Sequence, residues 1–487
     1  MDKNSKILLL NLPSPPYQEI GREWAGGFGT AMFSRRNMYG QSKKTILPSF
    51  LPYASAALSE AGYEFNVVDC QRLKLNQFQI IDKIKRVSPG IIISLIGLPS
   101  LKKDLELLNK IKESIQNVLI IGVGTVCRVI PSEVLLGGNV DVILRNTHPY
   151  VSNMIELIRA LQQSKDIQRV SGISYVKEKR IVSTPESPEL DLGKISSPCY
   201  DFLQLDGYES FVDIEGAQYP YVPILRSKGC PYACIYCPYP VGFGRKWTYR
   251  SPEDVVDEME YLHTVRNVKG FLLRDQSFTL NKRHATELCD EIVRRKLDLA
   301  WFCEARVNEV SRQLLEKMKK AGCKRIHYGV ETGNPEILKI AKPGVNLETI
   351  RKAFRLTKEA GLWTQAHVIL GWPDDNQKTI ERTCKFLLDL NPDSISWNIL
   401  TPYPGTKMYQ LAQRDSLIVT HDWSNYTSHT IVMRNKQLDT IQLDAVIKNV
   451  IHELLKQELR KTLLHTVKRP KLFITETKNI INGIMSL

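Results

Sequence analysis

Arg226-Ser-Lys-Gly-Cys230-Pro-Tyr-Ala-Cys234-Ile-Tyr236-Cys237-Pro-Tyr239 sets three thiols within eight residues, and the rest of the chain reads as scaffolding around them. Spacings of four and three let thiolates on one loop converge on a single inorganic centre, and three protein ligands for about four irons leave one iron open to a substrate. Zinc is the rival, since it too favours thiolates, but a closed structural zinc site takes about four ligands. No other Cys or His lies between Cys199 and His263. An unliganded surface cluster is the third reading, costly to keep in a reducing compartment.

Around that loop, 487 residues suffice for two or three domains with cores of their own. Hydrophobic residues at 43% and charged residues at 24% are globular values and exclude a disordered or fibrous chain. No run of about eighteen uncharged apolar residues occurs, and Met1 to Lys6 lacks a signal peptide's apolar core, so a cytoplasmic protein is expected. Cys70, Cys127, Cys199, Cys289, Cys303, Cys323 and Cys384 stand singly and read as buried thiols, not a disulfide framework. A net charge of +14 raises nucleic acid, anionic lipid or an acidic small molecule as partners. The basic residues are spread along the chain without an aromatic-interleaved stripe, which argues against nucleic acid.

From Lys6 to Leu144 five short apolar strands alternate with amphipathic helices, the pattern of an α/β fold with a doubly wound, Rossmann-like parallel sheet over residues 1–165. A ligand of such a sheet sits at the strand carboxyl ends. Those ends are Asn11 to Pro16, Asp69, Ser94 to Gly97 and Gly122-Val-Gly124-Thr125, the two glycines allowing a large planar group to approach. Residues 166–215 read as a linker with a hairpin from Ser171 to Ser183. Over 216–410 six βα units follow, fewer than a closed barrel and enough for a partial TIM-type (β/α)6 barrel. Residues 411–487 form a C-terminal helical region, with an apolar stripe from Ile441 to Leu455 and a basic stretch at Lys468-Arg469-Pro470-Lys471 that offers itself to an anionic surface.

The barrel's strand ends are polar, and barrel chemistry gathers there. They read Arg274-Asp275-Gln-Ser-Phe-Thr279, Glu304-Ala-Arg306, Gly329-Val-Glu331-Thr-Gly333, His367-Val-Ile-Leu-Gly371-Trp-Pro373 and Thr401-Pro-Tyr-Pro-Gly-Thr406. Plainer roles compete: helix caps for Asp275 and Glu331, a structural ion pair for Arg306, a core histidine for His367. His148, after the fifth strand, reads as a surface-loop residue rather than a cofactor contact.

Cys230-x-x-x-Cys234-x-Tyr236-Cys237 resembles the signature of the radical S-adenosylmethionine superfamily. The resemblance implies a [4Fe-4S] cluster on the three cysteines, S-adenosyl-L-methionine on its open iron, and reductive cleavage to a 5′-deoxyadenosyl radical. It places Tyr236 and Gly371 at the adenine, Glu331 at the ribose and Asp275 at the methionine amino group. Arg306 is the candidate for a carboxylate. An electron donor such as flavodoxin or ferredoxin and a small-molecule or lipid-like substrate are implied as well. Asn11-Leu-Pro13, the Leu51 to Leu58 helix, Asp69 and Gly122-Val-Gly124 resemble the branch that carries a cobalamin-binding domain, which implies cobalamin near Asn11, Ser94, Gly122 and Gly124 and methylation of an unactivated carbon. The chain lacks that branch's Gly-Glu-rich turn and has no Asp-x-His-x-x-Gly. A radical enzyme without corrin that rearranges or oxidises its substrate, and a non-catalytic metal-binding module on nucleic acid, are the alternatives.

Overall fold

The computed structural model describes residues 6–16, 18–31, 45–208, 211–214 and 217–466. The basic stretch at Lys468 lies outside them. In the first sheet, β1 (Ile7–Asn11), β2 (Phe65–Asp69), β3 (Ile91–Leu95), β4 (Leu119–Val123) and β5 (Val142–Leu144) run parallel in the order β2-β1-β3-β4-β5. The hairpin β6 (Ile173–Lys177) and β7 (Arg180–Ser183), expected in the linker, extends this sheet antiparallel from β5.

The sheet reads as continuous apolar runs because both its faces are covered. Ile7 and Leu9 pack with α1 (Phe50–Glu60), while Leu8 and Leu10 join the cluster that holds Ile80 and Ile84 of α2 (Gln77–Val87) and Leu108 and Ile111 of α3 (Leu101–Ser114). α4 (Met154–Gln162) belongs to the first of these clusters.

The second sheet is the partial barrel. An antiparallel β8 (Phe211–Ile214) precedes six parallel strands, β9 (Ala217–Ile224), β10 (Gly270–Leu273), β11 (Ala300–Ala305), β12 (Cys323–Glu331), β13 (Trp363–Leu370) and β14 (Ser394–Ile399), hydrogen-bonded in chain order. Its helices are α5 (Tyr239–Phe243), α6 (Pro252–Thr264), α7 (Lys282–Arg294), α8 (Arg312–Lys320), α9 (Pro335–Ala341), α10 (Leu347–Glu359) and α11 (Gln377–Leu390). Capping residues start several of them: Ser251, Asn281, Ser311, Asn346 and Asn376 each accept a hydrogen bond from a first-turn N–H. α12 (Thr440–Thr466) buries Leu443, Ile447, Ile451 and Leu454 and lies against α11, the core-covering role its stripe suggests. No helix among the described residues is long and apolar enough to cross a membrane.

Candidate active site between the barrel mouth and the first sheet

β9 delivers the cysteine loop at the barrel mouth. Gly229, at φ +88°, turns the chain where a Cβ would come within 2.0 Å of the Lys246 carbonyl oxygen, so only glycine fits. The loop is then pinned by backbone bonds: Cys230 N–H to the Gly244 carbonyl (3.1 Å), Cys237 N–H to Cys234 (3.2 Å) and Ile235 N–H to Ala341 (3.3 Å). All three cysteines are free, Cys230 buried and the other two half-buried. Burial, then the charges of Cys234 and Cys230, pushes the Cys237 thiol well above its ordinary range. Thiols that raise one another's pKa ionise together only beside a cation, which is what a metal centre provides. Among the described residues no three His, Cys, Asp or Glu side chains converge on a point that would hold one metal ion. A cubane takes its three thiolates on three separate irons and needs no such point. The Arg306 guanidinium reaches Cys234 Sγ at 3.4 Å and lies 3.7 Å over the Tyr232 ring, so its charge faces the thiols.

Tyr236 meets Trp372 edge-on, ring centroids 5.4 Å apart. Gly371 precedes that Trp at φ +82°, with no atom closer than 3.7 Å to an added Cβ; backbone conformation, not space, calls for glycine there. Burial, then the hydrogen-bonded Glu331 carboxylate, pushes the Tyr236 phenol well above its ordinary value. Glu331 ends β12 at φ +67°, just past a register shift against β13, and Lys342 Nζ donates to its Oε1 at 2.8 Å. Lys342 is the residue here that sequence reading missed.

Asp275 is wholly enclosed, and Arg226 Nε lies 3.1 Å from both its oxygens while Ser227 donates a further hydrogen bond. Arg226 also reaches His284 Nδ1 (2.7 Å) and the Phe278 carbonyl (2.9 Å). In this arrangement Asp275 sits in a structural ion pair with Arg226 rather than capping a helix. The next residue differs: both amide atoms of Gln276 are buried without a partner among the described residues. The Glu304 side chain, on the adjacent strand end, makes no hydrogen bond or ion pair among them either, and burial raises its pKa.

β13 alternates half-buried and buried residues along its length, which sets Trp363, Gln365, His367 and Ile369 on the inner face. Register places His327 of β12 beside Gln365, and Ser396 of β14 beside His367. His367 is half-buried there, its pKa lowered to about 4 by desolvation, with Gln365 Nε2 3.2 Å from its Nε2.

The first domain meets this mouth through a strap, Ile20 to Ala31, that crosses its strand ends. Arg22 pairs with Asp104 at 2.6 Å, both nearly sealed from solvent, and donates to the carbonyls of Leu12 and Pro13. Glu23 accepts the N–H groups of Ser49 and Phe50 at 2.6 and 2.7 Å, capping α1 from outside. Trp24 packs against the Tyr221, Leu272 and Phe302 cluster on the barrel side, with the Arg274 guanidinium 4.0 Å over its ring. Gly26 abuts Pro238, whose carbonyl an added Cβ would approach to 2.4 Å.

Several expectations for the first sheet change accordingly. Asn11 directs its amide to Asp69 (2.9 Å) and Gln71 (3.3 Å), so its side chain is already engaged within the fold. A Cβ on Gly124 would meet the Ile96 carbonyl oxygen at 2.6 Å, and one on Gly122 the Ile96, Ile143 and Val140 side chains at 3.0 to 3.2 Å. The space a side chain would fill at these glycines is taken by neighbouring chain. His148 is no surface residue: it is 2% exposed, stacks on Phe243 and lies 3.2 Å from Glu23. The Ser94 hydroxyl is wholly buried without a partner among the described residues, at a strand position paired with Gly122, and both His148 ring nitrogens are likewise buried without a hydrogen bond.

A cysteine-bearing loop at the mouth of a partial barrel, capped by a Rossmann-like sheet, defines a class of iron-sulfur enzyme. Residues 224–387 match the radical SAM superfamily. An uncharacterized methyltransferase of Pyrococcus horikoshii is 30% identical over 66% of this chain and 66% of its own length. The anaerobic magnesium-protoporphyrin IX monomethyl ester cyclase of Rubrivivax gelatinosus is 28% identical over 82% of this chain and 72% of its own. Among solved structures, the methyltransferase TsrM of Kitasatospora setae, with cobalamin and a [4Fe-4S] cluster bound, superposes with a TM-score of 0.70 at 17% identity, covering 93% of this chain and 88% of that one. OxsB with aqua-cobalamin and S-adenosylmethionine bound gives 0.72 at 16% identity, covering 99% and 72%. The chain belongs to the radical S-adenosylmethionine superfamily. It has the two-domain fold of the cobalamin-dependent members.

Proposed function

We propose that the protein is a cobalamin-dependent radical S-adenosylmethionine methyltransferase acting on an unactivated carbon of a small molecule, with a one-electron donor such as flavodoxin or ferredoxin as its reductant. The observation that carries this is the seating of the cysteine loop against the carboxyl ends of the first sheet, with Gly26 on Pro238 and His148 on Phe243. The bound groups supply one-electron cleavage of S-adenosylmethionine and a carrier for the methyl group.

The chain's own residues do the rest. Cys230, Cys234 and Cys237 hold the cluster, and Arg306 balances the thiolate charge. Tyr236 and Trp372 form an aromatic corner for adenine beside the Gly371 backbone, and Glu331 accepts from the ribose hydroxyls. Ser94 offers its unsatisfied hydroxyl to the corrin's tail. The inner face of β12 to β14 receives the substrate, and the strap keeps water from the mouth. The relatives named as methyltransferases favour methyl transfer over ring closure.

Protein reconstituted without oxygen should bind about four irons per chain, take up hydroxocobalamin, and on reduction form 5′-deoxyadenosine and S-adenosylhomocysteine. The Cys230→Ala/Cys234→Ala/Cys237→Ala variant should form neither. 5′-Deoxyadenosine without S-adenosylhomocysteine, once a substrate is supplied, would exclude methyl transfer, and zinc in place of iron would exclude the radical chemistry.

A further inference from the structure

We propose that Lys342 is a positioning residue: by gripping Glu331 it holds that carboxylate aimed at the ribose of S-adenosylmethionine. The inference rests on the radical reading of the site. Three features of β12 converge on Glu331. A register shift against β13 between Gly329 and Glu331 inserts one extra residue, the irregularity by which a strand re-aims a side chain. Glu331 itself adopts φ +67°, a left-handed conformation that a side chain of this size avoids unless its surroundings enforce it. The enforcing contact is Lys342, whose ammonium donates to Glu331 Oε1 at 2.8 Å and to the Gly329 carbonyl at 2.7 Å.

Both side chains are about 95% enclosed, 5% and 6% exposed, so neither charge has water as an alternative partner. Gly329 is required by the same grip, because a Cβ there would come within 2.1 Å of Glu331 Oε1 and 2.4 Å of Lys342 Nζ. The turn that carries Lys342 is fastened on one side to the cysteine loop and on the other to the end of β11. Ala341 accepts the Ile235 N–H, and the Pro343 carbonyl accepts Arg306 Nη2 at 3.3 Å. Glu331 is thus held by Lys342, on a turn that is itself tied to the cysteine loop.

The test compares binding of S-adenosylhomocysteine and its 2′-deoxy analogue to the anaerobically reconstituted enzyme. The native protein should prefer the ribose form by about tenfold or more, the effect of a hydrogen bond to a charged group. Lys342→Met should bring that preference to near unity and leave affinity for the deoxy analogue unchanged, whereas Lys342→Arg should keep most of it. Should Lys342→Met not fold, Lys342→Met/Glu331→Gln removes both buried charges. That pair should lose no more preference than Glu331→Gln alone, because the two residues act as one unit. A Lys342→Met protein that keeps the native preference overturns the proposal. Native protein that makes no 5′-deoxyadenosine when reduced with S-adenosylmethionine overturns the radical reading instead, a separate readout.

Discussion

The imidazole of His148 lies flat on the ring of Phe243, centroids 4.2 Å apart and planes 12° apart, and this contact joins the first sheet to the helix that follows Cys237. Phe243 is wholly buried, and the His148 N–H donates to the Gly242 carbonyl beside it at 2.9 Å. Phe243→Ala should lower stability by about 3–5 kcal/mol, the usual cost of deleting a buried phenyl ring. Because α5 continues directly from the cysteine loop, iron content after anaerobic reconstitution should fall with it. Thermal unfolding and iron assay check the two effects, and full iron content in a destabilised variant would show that the loop holds its shape without this contact.

Asp275 separates a structural role from a ligand role. Its carboxylate and the Arg226 guanidinium are both fully enclosed, so removing one charge strands the other. Asp275→Asn should lower the unfolding free energy by about 3–5 kcal/mol, measured by urea denaturation without S-adenosylmethionine. A residue whose only task was the methionine amino group would leave unfolding unchanged and alter S-adenosylmethionine binding alone.

Gly124→Ala tests what the turn after β4 is for. At φ +128° and with the Ile96 carbonyl 2.6 Å from an added Cβ, the substitution forces the backbone of β3's continuation to move. A loss of about 1–3 kcal/mol is expected, equal with and without hydroxocobalamin. A variant of native stability that fails to bind hydroxocobalamin would restore the turn as a ligand contact.

The architecture was legible wherever a local pattern carries it. Apolar runs bounded by turns marked the strands of both sheets, and Cys230, Cys234 and Cys237 declared themselves by spacing. What stayed hidden depends on partners far along the chain. His148 looked like a loop residue because the ring it stacks on is Phe243, in the other domain. The strap from Ile20 to Ala31 has no periodicity to announce it, since Arg22, Glu23 and Trp24 each answer to a different element. Lys342 follows a helix as many solvated lysines do, and only the fold buries it against Glu331. Gly122 and Gly124 are small where close approach demands it, and the chain itself closes on them.

His367 should make the fold acid-sensitive. Burial lowers its pKa from 6.5 to about 4, so across that interval the unfolded chain binds a proton that the folded one refuses. Stability therefore rises with pH through the window and is lost as the pH falls from 6.5 towards 4, with a slope of up to about 1.4 kcal/mol per unit. His367→Gln keeps a hydrogen-bonding group and removes the titration. Between pH of about 7 and about 4.5, its unfolding free energy should drop by roughly 2 kcal/mol less than that of the native protein. Carboxylates that titrate over the same range are common to both proteins and cancel in the comparison. Equal losses in urea melts at the two pH values would mean that His367 accepts its proton in the folded state, and that the inner face of β13 is wetter than its burial implies.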